Sequence, residues 1–275
     1  MLEWRVASRL TIVGTPIGNL EDLTLRAKRV LSEADVIFCE DTRETAKLLA
    51  RYGVRKPTSS LHKFSVARKL GAVIARLEAG EKVCYVTDSG MPGIADPGCD
   101  VARRLLDAGY GVEVVPGVSA LTTAVTFCPF VESGFVFAGF LPRKPSEMKK
   151  RLGACLDTGL PVVFFESPAR IGALIANLAA VLPSKRRAML ARELTKKFEE
   201  VTIFPLGEPP NPLPERGEMV LIVEGGEPSG AAKGRSADEA AAFLDGLGLS
   251  ARDTASVLAY FLGAGKSEMK RKVYK

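Results

Sequence analysis

The chain has 275 residues, 47% of them hydrophobic and 25% charged, with a formal net charge of +6. That length predicts two domains with a core large enough to need no disulfide or metal staple. The five cysteines (Cys39, Cys84, Cys99, Cys128, Cys155) form no C-x-x-C pair, so they read as reduced thiols of a cytoplasmic protein, and no metal is expected. The single histidine, His62, argues against serine-triad and multi-histidine metal chemistry. Charges interrupt Met1–Arg5, and no run approaches the ~20 apolar residues of a membrane span, so the expectation is a soluble, unexported protein with no membrane partner. The basic balance fits an anionic partner such as nucleic acid; a surface kept basic for solubility is the alternative.

In chain order, apolar runs at Leu10–Val13, Val36–Cys39, Val83–Thr87 and Val112–Val115 predict strands covered on both faces. Between them, helices are expected at Thr24–Ser32, Glu44–Tyr52, Val66–Ala79 and Cys99–Ala108, the last two closed by Gly80 and Gly109. Alternation of this kind predicts an α/β domain over residues 1–128. A break at Pro129 and Gly134 opens a second α/β domain over 129–226. Its strands are Phe135–Phe140, Val162–Phe165, Arg187–Ala191, Glu199–Phe204 and Met219–Val223, and its helices are Ser146–Leu156 and Ala169–Val181. Several connections are too short for parallel crossovers, so the second sheet should be mixed. Proline-rich 205–217 reads as a loop. Beyond a Gly/Ser/Ala-rich stretch, a basic helical tail is expected over 237–275, with helices at Asp238–Asp245, Ala251–Leu262 and Ser267–Tyr274 and with Ser250 and Ser267 as caps. There is no internal repeat.

Three turns carry the chemistry. The first strand runs into Gly14-Thr15-Pro16-Ile17-Gly18, the third into Asp88-Ser89-Gly90-Met91-Pro92-Gly93 and on to Gly98, and the fourth into Pro116-Gly117-Val118-Ser119-Ala120. Glycine lets the backbone turn tightly and a ligand approach closely. Neither G-x-G-x-x-G nor a P-loop is present, so the common nucleotide fingerprints are not supported. Three such turns at the carboxyl ends of neighbouring strands point to one shared crevice.

These turns, with Glu40-Asp41-Thr42-Arg43, Gly139-Phe140-Leu141-Pro142, Glu166-Ser167-Pro168-x-Arg170 and Arg192-Glu193-Leu194-Thr195-Lys196, make the chain resemble the tetrapyrrole methylase superfamily over about residues 10–225. The match is strongest to the branch that methylates a cytidine ribose 2′-hydroxyl in the decoding centre of 16S rRNA. The resemblance implies two α/β domains holding S-adenosylmethionine between them, a small helical tail, a homodimer, and 16S rRNA or an assembled 30S subunit as partner. It places Gly14, Ile17, Asp88, Gly90, Met91, Ser119 and Ala120 around the donor, with Glu166, Ala191 and Met219 from the second domain. Two segments depart from the family pattern. Leu61-His62-Lys63-Phe64-Ser65 stands where a His/Asn/Glu-rich segment is usual, and Met91 where threonine is usual.

A ribose hydroxyl is a weak acid, so a base or hydrogen-bond acceptor helps its attack. Candidates are Glu40, Asp41, Glu193, Lys196 and Glu199; Glu40 and Asp41 could instead pair with Arg43 or cap the following helix, and lysine could act as a base only with a depressed pKa. Arg26, Arg43, Arg143, Lys144, Arg170, Lys197, Lys270 and Arg271 could grip RNA phosphates, or be solvated or ion-paired surface groups. A corrinoid- or protein-methylating relative, and an RNA-binding factor without catalysis, stay open as alternatives.

Overall fold

Each apolar strand run becomes a strand in the computed structural model, which describes residues 5–62, 65–96, 98–226, 244, 249–261 and 265–273. The first domain holds β1 (Arg5–Val13), β2 (Val36–Cys39), β3 (Thr58–Ser60), β4 (Val83–Val86) and β5 (Tyr110–Val115) in one sheet. Their order is β3-β2-β4-β1-β5, all parallel. Successive side chains point to opposite faces. Leu10, Ile12, Val36, Phe38, Val83 and Tyr85 pack under α3 (Val66–Glu78) and α4 (Gly98–Asp107). Ile37, Cys39, Cys84 and Val86 pack under α1 (Leu25–Glu33) and α2 (Thr42–Arg51). Helices on both faces explain why these strands read as unbroken apolar runs.

The order β2-β4-β1-β5 sets the carboxyl ends of β4, β1 and β5 side by side. The three glycine turns therefore meet at one edge, with Glu40 one strand further along.

The second sheet has the order β6-β7-β10-β8-β9, from β6 (Val136–Gly139), β7 (Val162–Glu166), β8 (Arg187–Arg192), β9 (Glu200–Pro205) and β10 (Met219–Val223). Only β6 and β7 pair in parallel, so the sheet is mixed. One face packs on α6 (Pro145–Leu156) and α7 (Pro168–Ala179) through Phe164, Leu190, Leu221 and Val223. The other presents Val163, Met189, Ala191, Val220 and Ile222 to α5 (Ala120–Phe127) and to Ile17 of the first turn. This second face joins the second sheet to α5 and to the first turn.

Four local differences from the sequence reading have physical causes. Helix α2 starts at Thr42 rather than Glu44, because the Asp41 carboxylate accepts the Arg43 amide and caps it. Helix α5 was not expected: the face opposite its apolar side carries only threonines, so its amphipathic signal is weak. Strand β3 is a short, polar edge strand with no alternation to read. Ser267 lies inside the last helix, whose first turn bonds back to the Gly265 carbonyl, and so is not its cap.

Helices α8 (Ala251–Phe261) and α9 (Lys266–Val273) pair through Ala255, Leu258, Ala259 and Met269. Ser250 caps α8, its hydroxyl accepting the Asp253 amide. The helix expected at Asp238–Asp245 lies outside the described residues, Leu244 excepted. Among the described residues no helix is long and apolar enough to cross a membrane, and all five cysteines are free.

Candidate active site

The glycine turns touch backbone to backbone. A Cβ on Gly14 would lie 2.7 Å from the Gly117 nitrogen and 2.6 Å from Met91 Sδ, so no other residue fits there without displacing a neighbouring turn. The Gly14 amide donates to the Val115 carbonyl and the Thr15 amide to Gly90. Buried Thr15 adds a hydroxyl bond to the Thr87 carbonyl at 3.2 Å. Met91 closes the junction: its sulfur accepts the Gly117 amide at 3.1 Å. A flexible thioether suits such an irregular gap.

The second turn is stapled by Asp96, one of whose carboxylate oxygens accepts the amides of Gly93 and Gly98, each at 2.7 Å. Two charge-assisted bonds to backbone stabilise a tight loop more than neutral ones would. This role depends on the folded loop, and spacing alone did not reveal it.

Between these turns and the second sheet lies a cavity of about 470 Å³. Ile17, Glu40, Asp88, Gly90, Met91, Ser119 and Ala120 line it from the first domain, and Glu166 and Met219 from the second. Of the residues expected around the donor, Gly14 and Ala191 fall outside the lining. Gly14 is sealed in the turn junction, and Ala191 lies on the sheet face shared with Ile17 and Val220. Thr87, Asp96, Phe140, Leu194, Gly217 and Glu218 also line the cavity and were not singled out from sequence. Their chain segments come together only through the fold.

The charged groups of the lining are Glu40, Asp88, Asp96, Glu166 and Glu218, all acidic, in a chain of net positive charge. Four of the five are engaged. Asp88 accepts the Asp41 amide at 2.9 Å, and Asp96 holds its loop. Buried Glu166 faces Arg170 at 3.2 Å and accepts the Ser167 amide. Glu218 pairs with Lys196 at 2.8 Å. Glu40 alone of the five has no hydrogen-bond or ion-pair partner among the described residues. Burial raises its pKa, and the nearby negative charges of Asp88, Asp96 and Asp41 raise it further. Burial likewise raises Asp88. The Thr87 hydroxyl, buried on the cavity wall, also lacks a protein partner among the described residues.

Asp41 has the alternative role that was open to it. Its carboxylate chelates the Arg43 guanidinium, at 2.6 Å for the shortest contact, and the Arg43 side-chain and backbone bonds lower its pKa to about 2. A carboxylate so held is a poor base, and it does not line the cavity. Lys196 is held in its ammonium form by two carboxylates. Burial opposes its charge, but bonds to Glu218 and Glu193 outweigh that and raise its pKa. It is a fixed ammonium beside the cavity. The turn that carries it is strained, with Glu193 and Thr195 at φ 50° and 66°, and the Lys196 stem lies over Gly18. Glu199 accepts the Thr195 amide at 2.6 Å and thereby closes the same turn.

The proposed RNA contacts divide by what already holds them. Arg26 donates to the Val114 carbonyl, Arg43 is taken by Asp41, and Lys144 pairs with Glu147. Arg170 is committed to Glu166 and the Leu141 carbonyl. Lys197 lies 5.6 Å from the Phe198 ring centroid. Arg143, Lys270 and Arg271 are exposed, with no partner among the described residues.

A family model described as tetrapyrrole (corrin/porphyrin) methylases matches residues 9–210. A protein from Neisseria meningitidis serogroup B, named ribosomal RNA small subunit methyltransferase I, is 41% identical over 223 residues, covering 79% of this chain and 76% of its own. A protein of the same name from Thermotoga maritima is 37% identical over 222 residues, 80% of this chain and 99% of its own. Among solved structures, methyltransferase CobJ aligns with a TM-score of 0.62 at 19% identity, over 79% of this chain and 94% of that one. A uroporphyrin-III C-methyl transferase from Thermus thermophilus, complexed with S-adenyl homocysteine, gives 0.56 at 20% identity, over 81% and 99%. Those two likenesses bear on the fold alone; the family assignment rests on the sequence matches. The chain belongs to the tetrapyrrole methylase family.

Proposed function

We propose that this chain is an S-adenosylmethionine-dependent methyltransferase acting on small-subunit ribosomal RNA, at a cytidine ribose 2′-hydroxyl. The observation that carries the reading is the sign of charge: an all-acidic cavity inside a basic protein. The donor carries a sulfonium and an ammonium, which carboxylates attract, whereas RNA phosphates are repelled from the cavity and held by cations outside it. The residues present fit such a donor. Buried Thr87 offers an unpaired hydroxyl, Ile17, Met91, Leu194 and Val220 offer apolar wall, and the glycine turns allow close approach. The relatives' shared name supports RNA over a corrinoid or a protein as substrate.

When bound, the donor supplies an electrophilic methyl group on sulfur. Glu40 is placed to accept the substrate hydroxyl proton as the oxygen–methyl bond forms, because it is the cavity carboxylate with no partner to compete for that proton. Asp88 contributes negative charge to the donor side of the cavity, and the Asp96 staple keeps the second turn rigid. A homodimer working in the cytoplasm is part of the same reading.

Titration calorimetry with S-adenosylmethionine tests the site. Binding to the full chain is expected, with at least a tenfold weakening in Asp88→Ala, roughly what one charged contact contributes. Retained affinity in that variant would place the donor elsewhere.

A further inference from the structure

Phe140 lines the cavity yet leaves 54% of its surface exposed. Its aim is built into the sheet. The β6–β7 register shifts between Phe137 and Gly139, and Gly139 has φ 63°, a left-handed conformation that glycine adopts without steric cost. Such a bulge re-aims the next side chain, here towards the cavity mouth. The ring is backed edge-on by Phe165, with centroids 5.8 Å apart, and Phe165 is backed in turn by Phe137 at 5.0 Å. Three residues on, the exposed Arg143 has no partner among the described residues.

An open, rigidly supported aromatic at the mouth of an acidic cavity suits an uncharged flat ligand. Within an RNA nucleotide only the base meets that description: the ribose is puckered and the phosphate is charged. Unstacked bases are commonly taken up on aromatic side chains. We propose that Phe140 is the stacking platform for the target nucleotide's base, with Arg143 gripping a flanking phosphate. This inference rests on the RNA-methylation reading and names the specificity element of the same site.

The test uses the full chain as wild type, Phe140→Ala, Phe140→Trp and Arg143→Ala. It measures donor affinity by calorimetry, oligomeric mass by light scattering, and kcat and KM on small-subunit RNA. Phe140→Ala should lower kcat/KM for RNA by roughly ten- to a hundredfold, the range of one base–aromatic stack, with donor affinity and mass unchanged. Phe140→Trp should keep most of the activity. Arg143→Ala should raise KM and reduce the salt slope by about one phosphate's worth. A parallel loss of donor affinity in Phe140→Ala would make the ring a donor contact. A change of oligomeric mass would make it an interface residue, and unaltered RNA kinetics would remove any role in base binding; each overturns the proposal. Wild type that methylates no RNA would defeat the parent reading along with this one, whereas an active wild type matched by Phe140→Ala would defeat this one alone.

Discussion

Glu40 differs from its acidic neighbours in what holds it. Asp41, Asp96, Glu166 and Glu218 are each fixed by a cation or by backbone amides. Glu40 has only burial and like charge around it, so its proton affinity is raised and its lone pairs are free to receive a substrate proton. If it is the acceptor, the deprotonated form is the active one. Methyl transfer should then rise with pH through a limb lying above the ordinary glutamate value, and level off beyond it. Glu40→Gln should slow single-turnover transfer by roughly a hundredfold and abolish that limb, with donor affinity little changed. A variant with wild-type rate and profile would show that orientation alone drives the step. The same logic separates Lys196 from catalysis: an ammonium shared by Glu193 and Glu218 anchors the turn beside Gly18 and has no lone pair to offer.

Among the elements, the decisive feature is the contact between the first and third turns. Gly14 and Gly117 leave no room for a side chain, and the obstacle to one is mostly backbone. Gly14→Ala must therefore push the turns apart. A destabilisation of ~1–3 kcal/mol in denaturant melts is expected, as for overpacked sites, together with weaker donor binding. Unchanged stability would mean that the turns tolerate separation. This junction also marks how far sequence could carry the argument. Strands β2 and β10 were legible to the residue, because strands covered on both faces must be apolar throughout. The turns were legible because glycine and proline cluster where chains reverse. Helix α5 was not, since its only polar residues are three threonines, too weakly polar to mark a solvent-facing stripe. At the site, Asp88 and Met91 were named from the family resemblance of their turn, and both line the cavity. Thr87, Phe140 and Glu218 could not be singled out, because what matters about each is a partner, or the lack of one, contributed by another segment; Asp96 could not, because its two bonds exist only once its own turn is folded.

At the scale of the whole molecule, the cavity stands out because its charged lining has one sign. Carboxylates line the cavity, and cations such as Arg143, Lys270 and Arg271 stand on the outside, so a cationic donor and a polyanionic substrate are drawn to different places. In the paired tail helices Met269 is buried, while Lys270 and Arg271 are exposed. Replacing both by alanine should weaken RNA binding and lower the slope of log affinity against log salt by about 1–2, with donor binding unaffected. An unaltered slope would mean that the tail makes no phosphate contact. The central claim, that the acidic cavity serves methyl transfer to small-subunit RNA, is tested most directly by incubating the purified chain with labelled S-adenosylmethionine and small-subunit RNA or 30S particles, then mapping the product by mass spectrometry. The account predicts one methyl group on the ribose of a single cytidine, and none with Glu40→Gln on the same timescale. Donor binding without any methyl on RNA, or methylation of a corrinoid in its place, would contradict it.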